Sequence, residues 1–185
     1  NLQPDTYSVL ITDRNGCVTG GTFVVSEPDP IEIESTHSEM LDCFGDENGF
    51  IDLDVRGGIQ PYRIKWSDTP IETLNRSNLS AGTYTVTITD DNGCIATKTF
   101  EIKQPDLLEV RLFTRFDVDC ENRELTGVAW LDIKGGTPDY RIEWNTGSSN
   151  VEEINFYEDG EITDIVTDRN GCLVEVSKEV TMPVA

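Results

Sequence analysis

From Thr83 to Thr89 the chain alternates strictly, with Tyr84, Val86 and Ile88 on one face and threonines on the other. Period two marks a strand with one buried face, because successive side chains of an extended backbone point to opposite sides. Asp91-Asn92-Gly93 follows and supplies turn chemistry, since Asn and Gly tolerate positive φ. Residues 94–102 then read as the returning arm of a hairpin. Earlier, Ile51, Leu53 and Val55 alternate with Asp52, Asp54 and Arg56, and Tyr62, Ile64 and Trp66 share one face of another strand. Residues 31–34 read as a first strand. Gly57-Gly58 separates two of these strands as a tight bend. No stretch keeps a helical period. Short strands divided by Gly, Pro, Asn and Asp predict an all-β sandwich.

The pattern recurs. The run from Tyr84 to Cys94 reappears from Tyr7 to Cys17 and from Ile162 to Cys172, so the late cysteines are 77 and 78 residues apart. Gly57-Gly58 with Tyr62 and Trp66 returns as Gly135-Gly136 with Tyr140 and Trp144, a shift of 78. Pro28, Pro105 and Pro183 keep the same period. Several blocks at one period define a tandem array. Residues 1–29 read as the C-terminal part of one copy, 30–106 as a full copy and 107–185 as another. The third copy departs from the plan. Ile162 replaces the tyrosine, and Asp164 stands where Val86 stood. Two outcomes are open for Asp164: solvation near an edge, or a slipped register. Leu79-Ser-Ala-Gly-Thr-Tyr84 and the matching Tyr7 resemble the tyrosine corner of immunoglobulin-like sandwiches, whose phenol bonds backbone upstream.

The repeat also reads the cysteines. Each full copy has an early and a late one, Cys43 with Cys94 and Cys120 with Cys172. Pairing within each copy is therefore predicted. It would close a loop of about fifty residues and stabilise by roughly 3–4 kcal/mol on the chain-entropy model. That matters for a module whose core is small. Cys17 is a late cysteine whose early partner would precede residue 1, so it is expected to be unpaired by truncation. There is no initiator Met and no signal peptide, so the sequence reads as a segment of something longer. Disulfides place the protein in an oxidising compartment.

Charge narrows the partners. Asp and Glu total 35 against 14 Lys and Arg, a net charge of −21. The three units carry −3, −8 and −10, so acidity belongs to the module rather than to one tail. Such a surface repels phosphate backbones and anionic lipid, and no nucleic-acid partner is expected. No apolar run approaches the roughly 18 residues of a membrane span, so membrane insertion is not expected either.

Little here suits catalysis. His37 is the single histidine, which leaves triads and histidine-rich metal sites almost no material. Carboxylates abound, but nothing singles out a facing pair of the glycosidase kind. Gly57-Gly58 and Gly135-Gly136 lack the helix and Lys-Ser/Thr of a phosphate loop. Calcium is the one ligand with material, because it takes six to eight oxygens. Asp90 and Asn92, with Asp42 and Asp46 of the loop after the first strand, are the candidate ligands; the same Asp-x-Asn-Gly piece also serves as a plain hairpin turn. Trp66 and Trp144 read as core residues. Trp130 falls on an outward position, where packing against a neighbouring module or a loop is expected.

Taken together, Cys43, Asn48-Gly49-x-Ile51, Gly57-Gly58-x-x-Pro61-Tyr62-x-x-x-Trp66, Leu79-x-x-Gly82-x-Tyr84-x-Val86-x-Ile88-x-Asp90-x-Asn92-Gly93-Cys94 and Gln104-Pro105 resemble the SprB repeat. The second full copy matches at Cys120, Gly127, Gly135, Gly136, Tyr140, Trp144, Gly160, Asp168, Asn170, Gly171 and Cys172, and departs at Thr126, Asp139 and Ile162. This family occurs in giant cell-surface adhesins of Bacteroidetes, including gliding-motility adhesins. The resemblance implies secretion, by the type IX system, and display on the cell surface. The expectation is a non-catalytic spacer in an elongated array of immunoglobulin-like modules, whose first partners are adjacent repeats. Very short proline-containing connections, residues 27–30 and 104–106, would stiffen it. The alternatives are a glycan- or protein-binding module and an accessory domain of a secreted enzyme.

Overall fold

The computed structural model describes residues 2–118 and 125–183. Fourteen strands are found among them. A hairpin, β1 (Asp5–Thr12) with β2 (Val18–Val25), comes first. The next six are β3 (Glu32–His37), β4 (Gly49–Arg56), β5 (Arg63–Trp66), β6 (Arg76–Leu79), β7 (Gly82–Thr89) and β8 (Ile95–Ile102). The last six are β9 (Glu109–Val118), β10 (Leu125–Lys134), β11 (Arg141–Trp144), β12 (Glu153–Phe156), β13 (Gly160–Thr167) and β14 (Leu173–Val180).

The sheet orders repeat with the sequence. One pair of sheets is β3-β4-β6 and β5-β7-β8; the other is β9-β10-β12 and β11-β13-β14. Strands β6 and β12 were not legible as strands. β6 is the polar run Arg-Ser-Asn-Leu, with no alternation to betray it. β12 is four residues long, and only Ile154 and Phe156 turn inward.

Two compact units divide the chain. Unit 1 comprises Asn1–Thr36, Asp52–Leu74 and Tyr84–Thr99; unit 2 comprises His37–Ile51, Asn75–Thr83 and Phe100–Ala185. In unit 1, Trp66, Val86 and Ile88 are buried, as the period-two reading requires. Arg63 to Trp66 lie opposite Thr89 to Val86, which places Trp66 across from Val86. The indole N–H of Trp66 donates to the Thr73 carbonyl at 2.9 Å, so the one polar atom of this core side chain is satisfied.

Unit 2 contains a sandwich core fed by both of its sheets. Ala129 and Leu131 of β10 and Ile154 and Phe156 of β12 share it with Ile142 and Trp144 of β11, Ile162 and Val166 of β13, and Val180 of β14. Burying each of the larger side chains contributes roughly 1.5–3 kcal/mol. Trp144 repeats the bond of Trp66, donating to the Val151 carbonyl at 2.9 Å. Both tryptophans thus fill cores. His37 meets Phe100 edge-on at 5.1 Å between ring centroids, a packing role.

Hairpin β1–β2 carries the same pattern on an exposed face. Val9, Ile11 and Phe23 are exposed, while their counterparts Val86, Ile88 and Phe100 are buried. The Tyr7 hydroxyl donates to the Gln3 carbonyl at 2.8 Å, which is the corner bond the sequence suggests.

Candidate functional site at the repeat junction

The Asp-x-Asn-Gly-Cys segments fold as carboxylate-capped turns. Asp90 Oδ1 accepts the Cys94 N–H at 2.7 Å, while Gly93 N–H donates to the Asp90 carbonyl at 3.1 Å. Gly93 sits at φ 85, open to glycine without strain. Asp168 Oδ1 accepts from the N–H groups of Asn170 and Cys172, both at 2.9 Å. Asp13 Oδ1 accepts from those of Asn15 and Cys17, both at 2.8 Å.

The second carboxylate oxygen reaches the Gly-Gly bend. Asp90 Oδ2 accepts the Ile59 N–H at 3.0 Å, and Asp168 Oδ2 accepts the Thr137 N–H at 2.8 Å. The Ile59 amide is the chief reason the Asp90 carboxyl stays below its ordinary pKa. The bend must come close to the chain: a Cβ on Gly57 would lie 1.9 Å from the Pro30 carbonyl oxygen, and one on Gly135 would lie 1.9 Å from that of Leu107. Tyr62 and Tyr140 lock the bends by donating to the carbonyls of Gly57 and Gly135. Bend, tyrosine and capped turn therefore form one clasp, although in sequence they look like separate pieces. Asp90, buried, is a turn cap, and its two oxygens face backbone N–H donors that a calcium ion would have to displace. Asp46 Oδ2 accepts from the Cys43 N–H and from Asn48 Nδ2, at 3.2 and 3.3 Å. Asp42 contributes its backbone carbonyl, and Asn92 is exposed. Among the described residues, no three His, Cys, Asp or Glu side chains group as a metal site.

The clasp of the last copy meets the loop of the copy before it, within unit 2. Leu41, buried, pins that loop, with its N–H donating to the Lys103 carbonyl at 2.8 Å. Gly45 N–H donates to Gln104 Oε1 at 2.9 Å. Cys43 is thereby held beside the segment that leaves its copy. Two residues on, the Asp106 carbonyl accepts the Gly136 N–H at 2.9 Å, which ties the same segment to the clasp that carries Cys172. Asn170 Nδ2 donates to the Asp42 carbonyl at 2.9 Å and to Thr137 Oγ1 at 3.2 Å.

Cys43 and Cys172 form a disulfide across 129 residues, with Cα atoms 5.7 Å apart. This corrects the within-copy pairing. Cys94 and Cys17 are free thiols, both exposed, and Cys120 lies outside the described residues. The reason is positional. The early cysteine stands where the chain leaves a copy, and the clasp sets the late cysteine where the chain enters one. The period alone could not separate the two pairings, since both join an early cysteine to a late one. The readable signal was the Gly-Gly bend, whose close approach to residues 30 and 107 fixes the turn at the start of each copy.

The third copy also corrects the alternatives for Asp164. It is neither solvated nor out of register. Trp144 faces Asp164 as Trp66 faces Val86, and Asp164 is 0 % exposed. Neither carboxylate oxygen has a hydrogen-bond partner. Burial pushes the carboxyl up to about 6; the amides of Glu143 and Ile165 oppose the shift without reaching bonding geometry, and the Glu143 charge adds to it. Trp130 packs on its own sheet. Phe113 stacks on it at 5.5 Å, and the Arg115 guanidinium lies 5.3 Å from its ring centroid.

Two three-stranded sheets sharing one core around a buried inward tryptophan define an immunoglobulin-like β-sandwich, and the Tyr7 hydroxyl makes a corner bond of the kind such folds use. Among solved structures, the N-terminal eight Ig domains of Down Syndrome Cell Adhesion Molecule, isoform 1.30.30, match with TM-score 0.51 and 14 % identity; the match covers 96 % of this chain and 31 % of that one. Domains 3 and 4 of rat CD4 match with TM-score 0.21 and 11 % identity over 96 % of each chain. No curated protein matches the chain. Residues 41–70 match the family model of the SprB repeat. SprB repeats are cell-surface adhesin modules.

Proposed function

We propose that this chain is a repeat segment of a large secreted adhesin, acting as a semi-rigid spacer in surface adhesion or gliding motility. The observation that carries the reading is the junction. A disulfide, the Asn170–Asp42 bond and a proline-containing connection leave few torsions free between one copy's loop and the next copy's clasp. A spacer gains from such a joint, because a load is transmitted only as far as the joints resist bending. The acidic surface supports solubility and repulsion between neighbouring chains. Bacteroidetes origin, type IX secretion and the gliding role rest on the SprB resemblance.

Small-angle scattering tests the mechanical part. The oxidised chain is expected to scatter as an extended particle, and the Cys43→Ser chain is expected to show a broader distance distribution. A compact particle in both states would contradict the spacer. An antiserum raised against this segment should label intact cells of the source organism; labelling only after lysis would contradict surface display. The alternative, a glycan- or protein-binding module, would draw on the exposed rim of Phe113. The flat faces of Trp130 are already taken by Phe113 and Arg115, which leaves a sugar ring little platform.

A further inference from the structure

Cys94 occupies the place in its copy that Cys172 occupies in the next, yet its sulfur is a free, exposed thiol. The turn around it is already built. Asp90 caps it with the same bonds that Asp168 makes, and Asp90 and Asp168 both hold the Gly-Gly bend. Asn92, the counterpart of Asn170, is exposed. Ile59 stands where Thr137, one of the two acceptors of Asn170, stands in the next copy. Ile95 is 66 % exposed where Leu173, at 65 %, borders the hollow around the disulfide. In the bonded turn, that hollow is completed by Cys43 and Phe44 of the arriving loop.

We propose that Cys94 is the receiving half of a second inter-copy staple, whose partner is the early cysteine of a copy of this module placed one repeat before it. The bonded Cys43–Cys172 pair shows the joint, and Cys94 presents one side of the same joint. The array then becomes a ladder in which every copy gives its early cysteine forward and receives with its late one. Each rung forms by thiol–disulfide exchange: two thiols lose two protons and two electrons, and a disulfide oxidant such as glutathione disulfide is reduced to two thiols. The proposal rests on reading the chain as a repeat segment. Thiol mapping and scattering report separately, so the failure of one is not the failure of the other.

The test is the full chain with residues 30–106 duplicated in tandem. The first copy carries Cys94→Ser and an Asp42→Glu mass tag. The protein is oxidised with glutathione disulfide and digested without reduction. The expected peptides join the tagged Cys43 to the second copy's Cys94, and the second copy's Cys43 to Cys172. A Cys94 bonded to the Cys43 of its own copy, or left as a thiol while Cys43–Cys172 forms, overturns the proposal. A second measurement uses the unaltered chain in a glutathione buffer with a synthetic peptide of residues 39–47. Several-fold greater capture at Cys94 than for a scrambled peptide is expected, and equal capture overturns it.

Discussion

Strands β7 and β13 are the same strand written twice. Both lie opposite a tryptophan strand in the same register, and both end in a capped turn. One carries Tyr84, Val86 and Ile88 inward; the other carries Ile162, Asp164 and Val166. A carboxylate at the centre of an apolar face has not moved the strand. A one-residue slip would expose Ile162 and Val166 together and would detach Asp168 from the Gly-Gly bend, so the register holds and the carboxyl is buried instead. Copies of one fold can thus share geometry and differ in what their cores cost.

The comparison breaks most severely if the carboxylate is moved. Val86→Asp would bury an unpaired charge where the core has none, and a loss of about 3–5 kcal/mol is expected, read as a lower denaturant midpoint. An unchanged midpoint would mean that the strand tolerates a carboxylate anywhere along its inward face. The reverse change, Asp164→Val, restores the apolar face and is expected to stabilise at pH 7 by about 2–3 kcal/mol.

That gain should depend on pH in a definite direction. The Asp164 carboxyl is raised in the fold from 3.8 to about 6. The folded form therefore keeps its proton where the unfolded chain has lost it. No ionisation cost exists below about pH 4; it grows as pH rises from there and levels off above about 6. The difference between wild type and Asp164→Val should shrink as pH falls from 7 to 3.5. A pH-independent difference would show that Asp164 is not buried as a carboxyl. The smallest effect belongs to Ile162→Tyr. Restoring the corner hydroxyl is expected to add about 1 kcal/mol at most, measured by thermal melting.

Much of the fold was legible because period-two alternation and Gly-Gly or Asn-Gly breaks report directly on strands and turns. Thr83 to Thr89 and Ile51 to Val55 needed no tertiary information. β6 was hidden because its polar residues follow no alternation, so its pairing with β4 shows only in three dimensions. The site was less legible. Asp90 and Asp168 could be seen as turn residues or cation ligands, and the bonds they accept from the Ile59 and Thr137 amides show only in three dimensions. The cysteine partners were the hardest part, because an exact repeat makes a partner in the same copy and one in the next copy look alike.

The central claim is that the staple joins successive copies. Peptide mapping of the oxidised chain without reduction tests it most directly, with free thiols alkylated beforehand. The account predicts a Cys43–Cys172 peptide and alkylated Cys94; a Cys43–Cys94 peptide with no Cys43–Cys172 link would contradict it.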